Sequence, residues 1–285
     1  MVVRQKTEKT AVVLGTNGLV GQALTKKLLE RGYFVRCSIG SSPDEAAVMM
    51  AMPEAEQRLK LMVSDLLDYA DISTAIDGCS SVFLTIAPCD CLNGQGDYPA
   101  EVVDAEVRGT LNVVEACANC PSIKRMVLTS SASAVVFDMK TDSSKSLDER
   151  GWSNLDFLRK NKIWSAVAKT IAERSAWCLA GDRGLDLVVL NPAIVTGPNP
   201  KISEGQHSGV LAVARADVVA EAHIAAAEIS TASGRYLCFE RLLSDEEALD
   251  LMKKLFPNVS PKRLQECYSP LRISNEKVTR LIDCS

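Results

Sequence analysis

Three glycines mark the first segment of this chain that could do chemistry. Gly15-Thr16-Asn17-Gly18-Leu19-Val20-Gly21 reads G-x-x-G-x-x-G. In such a turn the first glycine makes the tight bend. The second lets the backbone approach a pyrophosphate, and the third lets a helix pack closely on a strand. The N-terminus of that helix supplies N–H groups and a partial positive charge. Glycine spacing alone is a weak signal. Here it follows a short β-branched run, TAVVL (Thr10–Leu14), and opens a helical pattern, which is where a dinucleotide-binding turn has to stand. The spacing differs from the G-x-G-x-x-G of ordinary dehydrogenases.

Other reactive residue types read as structural. His207 and His223 lack an H-E-x-x-H pattern or a nearby carboxylate pattern for a metal, so no metal site is expected; His223 sits in a helical run, and His207 in a loop near the expected pocket. Cys117-Ala118-Asn119-Cys120 closes a helical pattern instead of following the first βαβ strand, and reads as core thiols. Cys89 and Cys91 fall in a loop. Asn258-Val259-Ser260 fits a glycosylation acceptor, without a secretory signal to deliver it.

The elements that must position the glycine turn follow from periodicity. Gly18–Arg31 carries Leu19, Val20, Ala23, Leu24, Leu28 and Leu29 at helical spacing, and Tyr33–Ile39 reads as a second strand. The alternation continues with strands at Leu59–Val63, Ser81–Ile86, Arg125–Thr129 and Leu185–Leu190. Helical patterns run over Tyr69–Ile76, Glu101–Ala118 and Lys162–Ala180. Near-continuous apolar strands alternating with helices imply an α/β fold with a parallel sheet covered on both faces. The stretch from Arg235 reads as a short strand, a helix over Asp245–Leu255 and a loose end.

Composition sets the class. The 285 residues are 47% hydrophobic and 24% charged, which is the make-up of a folded globular chain. Acidic side chains exceed basic ones, 36 to 32, so neither nucleic acid nor a membrane surface is an expected partner. No apolar run is long enough for a transmembrane helix. Ten cysteines, sparse and irregular, with no secretory signal at Met1–Thr10, imply reduced thiols and a cytoplasmic setting.

On these segments the chain resembles the extended short-chain dehydrogenases/reductases, and within them the plant dihydroflavonol reductase and cinnamoyl-CoA reductase group. The glycine turn, Asp65-Leu66, GTLNVVEAC with KRMVLTSSASAVVF, DERGWSNLDFLRKNKIW with AKTIAERSAW, GLDLVVLNPAIVTGPNP and GRYLCFE all carry the likeness. It implies a Rossmann-type doubly wound parallel sheet over residues 1–190, with a small, interleaved C-terminal substrate lobe over 191–285. It also implies a dinucleotide cofactor, NADP ahead of NAD, and a small-molecule substrate. Members occur as monomers and homodimers.

The resemblance assigns roles residue by residue. Gly15, Asn17, Gly18, Leu19, Val20 and Gly21 would hold the pyrophosphate. Asp65 and Leu66 would touch adenine, Ile86 and Ala87 would line the cofactor, and Pro192, Ile194 and Val195 would pack on the nicotinamide. Arg36 matches the first arginine of the group's V-R-x-T-V-R pattern. The second, which reaches the 2′-phosphate, is replaced by Gly40. Ser41 and Ser42 bring no charge there, and no acid is expected there to grip a ribose 2′-hydroxyl.

The group's catalytic set is Ser, Tyr and Lys: Ser orients the carbonyl, Tyr donates the proton, and Lys holds the ribose and lowers the Tyr pKa. Ser131 matches the serine and Lys169 the lysine, but Ser165 stands where the tyrosine belongs. Positions 165 and 169 share a helix face. An alkyl hydroxyl is shorter than a phenol and has no useful acidity near neutral pH. General acid catalysis contributes about 100- to 10,000-fold. The interval between Pro198 and the Asp217–Glu228 helical run is also shorter than the group carries. The leading expectation is an NAD(P)-dependent reductase or dehydrogenase of a small, phenylpropanoid-like carbonyl or alcohol, with an altered catalytic site. The alternative is a catalytically impaired nucleotide-binding sensor or scaffold.

Overall fold

The computed structural model describes residues 9–16, 18–40, 43–85, 100–137, 147–197, 212–244, 247 and 273–284. Among them, seven strands form one parallel sheet: β1 (Thr10–Leu14), β2 (Phe34–Ile39), β3 (Leu59–Val63), β4 (Ser81–Leu84), β5 (Arg125–Thr129), β6 (Leu187–Pro192) and β9 (Gly234–Cys238). Their order is β3-β2-β1-β4-β5-β6-β9, so the chain reverses direction across the sheet between β1 and β4. In open α/β sheets such a switch point opens the ligand crevice beyond the strands' carboxyl ends.

Period-two alternation sends each strand's side chains to two cores. Ala11 and Val13, Val127, and Val188 and Leu190 face one side. There they meet Val20, Leu24 and Leu28 of α1 (Leu19–Glu30) and Val219 and Ile224 of α8 (Ala216–Glu228). Val12 and Leu14, Met126 and Leu128, and Leu187 and Val189 face the other, against α4 (Tyr69–Ile76), α5 (Ala100–Asn119) and α7 (Trp164–Arg183). Strands buried on both faces account for the near-continuous apolar runs in the sequence.

Local signals set several ends. Asp68 caps α4, its carboxylate accepting from the N–H groups of Ala70 and Asp71. Gly184 ends α7 in the left-handed region at φ +69°.

Two strand ends differ from the sequence reading. β4 is described to Leu84, and β6 starts at Leu187 and continues through Asn191 and Pro192. Between β2 and β3 the chain inserts two short helices, α2 (Pro43–Met50) and α3 (Ala55–Arg58), which periodicity did not indicate. The expected helix over Asp245–Leu255 lies outside the described residues.

The described residues beyond 190 are interleaved with the sheet. β7 (Ile194–Thr196), β8 (Ala212–Arg215) and β10 (Arg241–Leu242) form a small second sheet, while β9 joins the main one and α8 packs on α1. A surface ion-pair set ties that contact, with Lys27 and Arg31 on Glu221 and Arg31 and Lys9 on Glu228. The last described helix, α9 (Glu276–Asp283), packs on α8 and β9.

Candidate active site

The glycine turn lies at the carboxyl end of β1, beside the switch point. Gly15 has φ +89°, a conformation that side-chain-bearing residues rarely adopt. A Cβ on Gly21 would come within 2.7 Å of the Gly15 carbonyl oxygen and 2.9 Å of the Thr16 Cα. These are backbone atoms, so the close approach of α1 to the turn requires glycine. Thr85 fixes the turn from the end of β4, donating its hydroxyl to the Gly15 carbonyl at 2.6 Å. Gly18 is the N-cap of α1 and provides no side chain to cover the helix N–H groups of its first turn. Glycine at this closest approach and a helix end without a side-chain cap fit a pyrophosphate.

The adenine-side residues also sit at strand ends. Asp65 and Leu66 follow β3; Asp65 accepts from the Leu67 N–H at 2.8 Å, and Asn112 on α5 donates to the Leu66 carbonyl at 3.1 Å. Pro192 ends β6, and Ile194 and Val195 lie buried in β7. Asn17, Ile86 and Ala87 lie outside the described residues, as do Ser41, Ser42, Cys89, Cys91 and His207.

Two expectations at the end of β2 are corrected. Arg36 does not turn toward the nucleotide end. Its Nη1 donates to the carbonyls of Ala75, at 3.1 Å, and Asp77, at 2.5 Å, closing the carboxyl end of α4. Carbonyls with no helical N–H partner draw the guanidinium there. The expectation of no acid near Gly40 also fails. Glu45, in the first turn of α2, reaches back so that its Oε2 accepts from the Gly40 N–H and its Oε1 from the Thr16 hydroxyl, each at 2.9 Å.

The candidate catalytic residues lie on adjoining elements. Ser131 follows β5 and caps a short 3-10 turn (Ala132–Ala134) that packs against α7. Its Oγ accepts from the Ser133 N–H at 3.1 Å and lies 2.9 Å from the Ser133 hydroxyl. Ser165 stands in the first turn of α7, and Lys169 one turn later. Lys169 is buried, with its ammonium 2.8 Å from the carboxylate of Glu106 on α5; both side chains are about one-twentieth exposed, at 5% and 6%. Sequence reasoning missed this pairing. An acid in the middle of an amphipathic helix looks like part of its solvated face.

Behind Ser131 lies a second buried charge cluster. Glu173 on α7 is fully buried. Its carboxylate accepts from Arg235 Nε at 2.5 Å, from the Ser130 hydroxyl at 2.5 Å and from Asn191 Nδ2 at 2.9 Å. Asn191 Nδ2 also lies 3.2 Å from the Ser131 carbonyl, so the cluster reaches the backbone of the candidate serine. Arg235 stacks on Trp152, 3.8 Å from the ring centroid, and donates to the carbonyls of Glu149 and Gly151.

His223 is structural. Its Nδ1 donates to the Val219 carbonyl and its Nε2 accepts from Thr129, and burial holds its pKa down at about 4. Cys117 and Cys120 are both free thiols, and burial pushes the Cys117 thiol up. Among the described residues no group of His, Cys, Asp and Glu could hold a metal, and no helix is long and apolar enough to cross a membrane. A cavity of about 500 Å³ opens between α9 and the start of β9. That is the opposite end of the sheet from the glycine turn, so this cavity is not the nucleotide crevice.

Residues 11–233 match the NAD dependent epimerase/dehydratase family. The chain belongs to that family. Within it, cinnamoyl-CoA reductase 1 of Petunia hybrida is 34% identical over 301 residues, covering 98% of this chain and 88% of the relative. Tetraketide alpha-pyrone reductase 1 of Arabidopsis thaliana is 31% identical over 274 residues, covering 89% and 83%. The chain thus falls in the cinnamoyl-CoA and dihydroflavonol reductase-like group, whose named members are reductases. Among solved structures, vestitone reductase from alfalfa (Medicago sativa) superposes with a TM-score of 0.74 at 29% identity, covering 96% of this chain and 92% of that one. Gre2 from Candida albicans, in complex with NADPH, gives 0.77 at 21% identity over 96% and 93%; that likeness bears on the fold alone.

Proposed function

We propose that this protein is an NAD(P)H-dependent reductase of a small carbonyl compound of the phenylpropanoid type, acting with Ser165 in the place of the group's tyrosine. The observation that carries the reading is the arrangement at the carboxyl ends of β1 and β5. A glycine turn fit for a pyrophosphate and a serine–lysine pair on adjoining elements share one end of the sheet. A bound reduced nicotinamide would supply the hydride for the carbonyl carbon.

The chain's residues do the rest. Gly15, Gly18, Leu19, Val20 and Gly21 bind the pyrophosphate, and Pro192, Ile194 and Val195 wall the nicotinamide side. Ser131 keeps its own hydroxyl proton for the substrate oxygen, because its Oγ accepts from the Ser133 N–H. Lys169, oriented by Glu106, would hold the ribose; an ammonium carries three N–H donors, so it can hold Glu106 and a hydroxyl together. The small Ser165 leaves room beside the carbonyl oxygen for a water that relays a proton from the Lys169 ammonium, which solvent then reprotonates. Residues 191–285 provide the substrate side, interleaved with the nucleotide domain.

The Lys169–Glu106 pair also favours a second reading. A carboxylate facing the ammonium offsets the charge that would assist proton delivery, which suits a nucleotide-binding protein with impaired chemistry. The two separate in one assay: purified protein, NADH or NADPH, and a panel of cinnamoyl-CoA thioesters, hydroxycinnamaldehydes and flavanonols, followed by loss of the reduced nicotinamide. Turnover that disappears in Lys169→Ala supports the reductase. Nucleotide binding without turnover on any substrate supports the second reading.

A further inference from the structure

Glu45 occupies an informative position. It is the third residue of α2, shortly after the end of β2, and its carboxylate bridges the glycine turn and the tip of β2. One oxygen accepts from Thr16, inside the glycine turn and 1% exposed; the other accepts from the backbone of Gly40, at the tip of β2. Thr16 is itself tied to β2, its backbone N–H donating to the Ser38 carbonyl at 3.4 Å. The acid is therefore fixed between turn and strand, where an acid in dinucleotide-binding sheets accepts from a ribose hydroxyl.

We infer that Glu45 is the nucleotide-selecting residue of this chain, holding the adenosine ribose 2′-hydroxyl and opposing a 2′-phosphate there. The inference rests on the dinucleotide reading above and goes beyond it. A carboxylate has about four lone-pair positions. Thr16 and Gly40 use two, which leaves positions for a ribose hydroxyl. A 2′-phosphate at the same place would set like charges against each other. Arg36, the arginine of β2, is engaged elsewhere and offsets none of this, because it closes α4. Gly40 offers only an N–H, and Glu45 already takes it. A Cβ at Gly40 would lie 3.3 Å from Glu45 Oε2, so a larger residue there would crowd the acid.

The test is calorimetric titration of the full chain with NADH and NADPH, for the wild type, Glu45→Gln and Glu45→Ser, with a thermal melt of each to confirm folding. The wild type should bind NADH more tightly than NADPH by on the order of 10- to 100-fold. Glu45→Gln should narrow that ratio by about tenfold, chiefly by tightening NADPH. Glu45→Ser, a smaller neutral residue, should do the same if charge is the cause. Equal affinities in the wild type, or a ratio unmoved by both substitutions, overturns the role of Glu45 and leaves the reductase reading standing. Binding of neither nucleotide overturns both.

Discussion

Removing the carboxylate of Glu173 should be among the most damaging single changes in this protein. Glu173 is fully buried and Arg235 is 8% exposed by side chain, so their ion pair lies out of water. Glu173→Ala leaves the guanidinium with the Glu149 and Gly151 carbonyls and the Trp152 face, but without an opposite charge. Breaking a buried pair by removing one partner costs about 3–5 kcal/mol. The Ser130 hydroxyl and the Asn191 amide also lose an acceptor, at about 1–3 kcal/mol each when left unpaired. The terms share one carboxylate and do not add. The contacts that Arg235 keeps offset part of the loss. A net loss of about 3–5 kcal/mol is expected, against a total stability on the order of 5–15 kcal/mol. The assay is urea unfolding followed by circular dichroism and tryptophan fluorescence, with the midpoint falling and the slope unchanged. Replacing both partners with apolar residues, Glu173→Leu with Arg235→Met, should cost less than Glu173→Ala alone. A Glu173→Ala protein within about 1 kcal/mol of the wild type would refute the reasoning, since an unpaired buried charge cannot be that cheap.

Other consequences can be measured separately. Because burial holds the His223 pKa at about 4, well below its ordinary value, the neutral ring stabilises the fold above pH about 6.5. That contribution is lost as pH falls toward 4, by about 1.5 kcal/mol between pH 6.5 and 5; an unfolding titration in which His223→Gln keeps the same slope over that window would count against it. Gly21→Ala forces a Cβ against the Gly15 carbonyl, so it should destabilise by about 1–3 kcal/mol and weaken nucleotide binding at least tenfold by calorimetry. Ser165→Tyr should raise kcat by on the order of 100-fold if the pocket still admits a phenol, while the KM for nucleotide stays constant. No gain in a folded variant would mean that the substrate side has been rebuilt. Thiol labelling of the native protein should mark Cys178 and Cys284, which are exposed. Cys37 and Cys238, whose thiols burial pushes up to about 12, should react only on unfolding, as mass mapping would report.

How much of this was legible in the sequence divides along one physical line. Strands buried on both faces and the glycine turn are written in local pattern, so β1, α1 and β2 could be read directly. So could the placing of Ser131 after a strand and Lys169 on a helix. What escaped depends on side chains meeting across the fold. Glu45 lies on a helix with little periodic signal and turns back on a strand that has already ended. Glu106 and Glu173 sit on long helices among acids that face solvent, and only the packing of α5 against α7 buries the first and that of α7 against the sheet the second. Arg36 shows the converse. Its place in a motif suggested the nucleotide, but strand alternation sends it to the face that carries α4.

The most direct test of the central claim is the fate of the hydride. The protein should be mixed with NADH deuterated at the transferring position of the nicotinamide and with a hydroxycinnamaldehyde, and the alcohol formed should be weighed by mass spectrometry. The account predicts one deuterium on the carbinol carbon, and its absence with the Lys169→Ala protein. Product without deuterium, or no product from any carbonyl in the panel while nucleotide still binds, would contradict it.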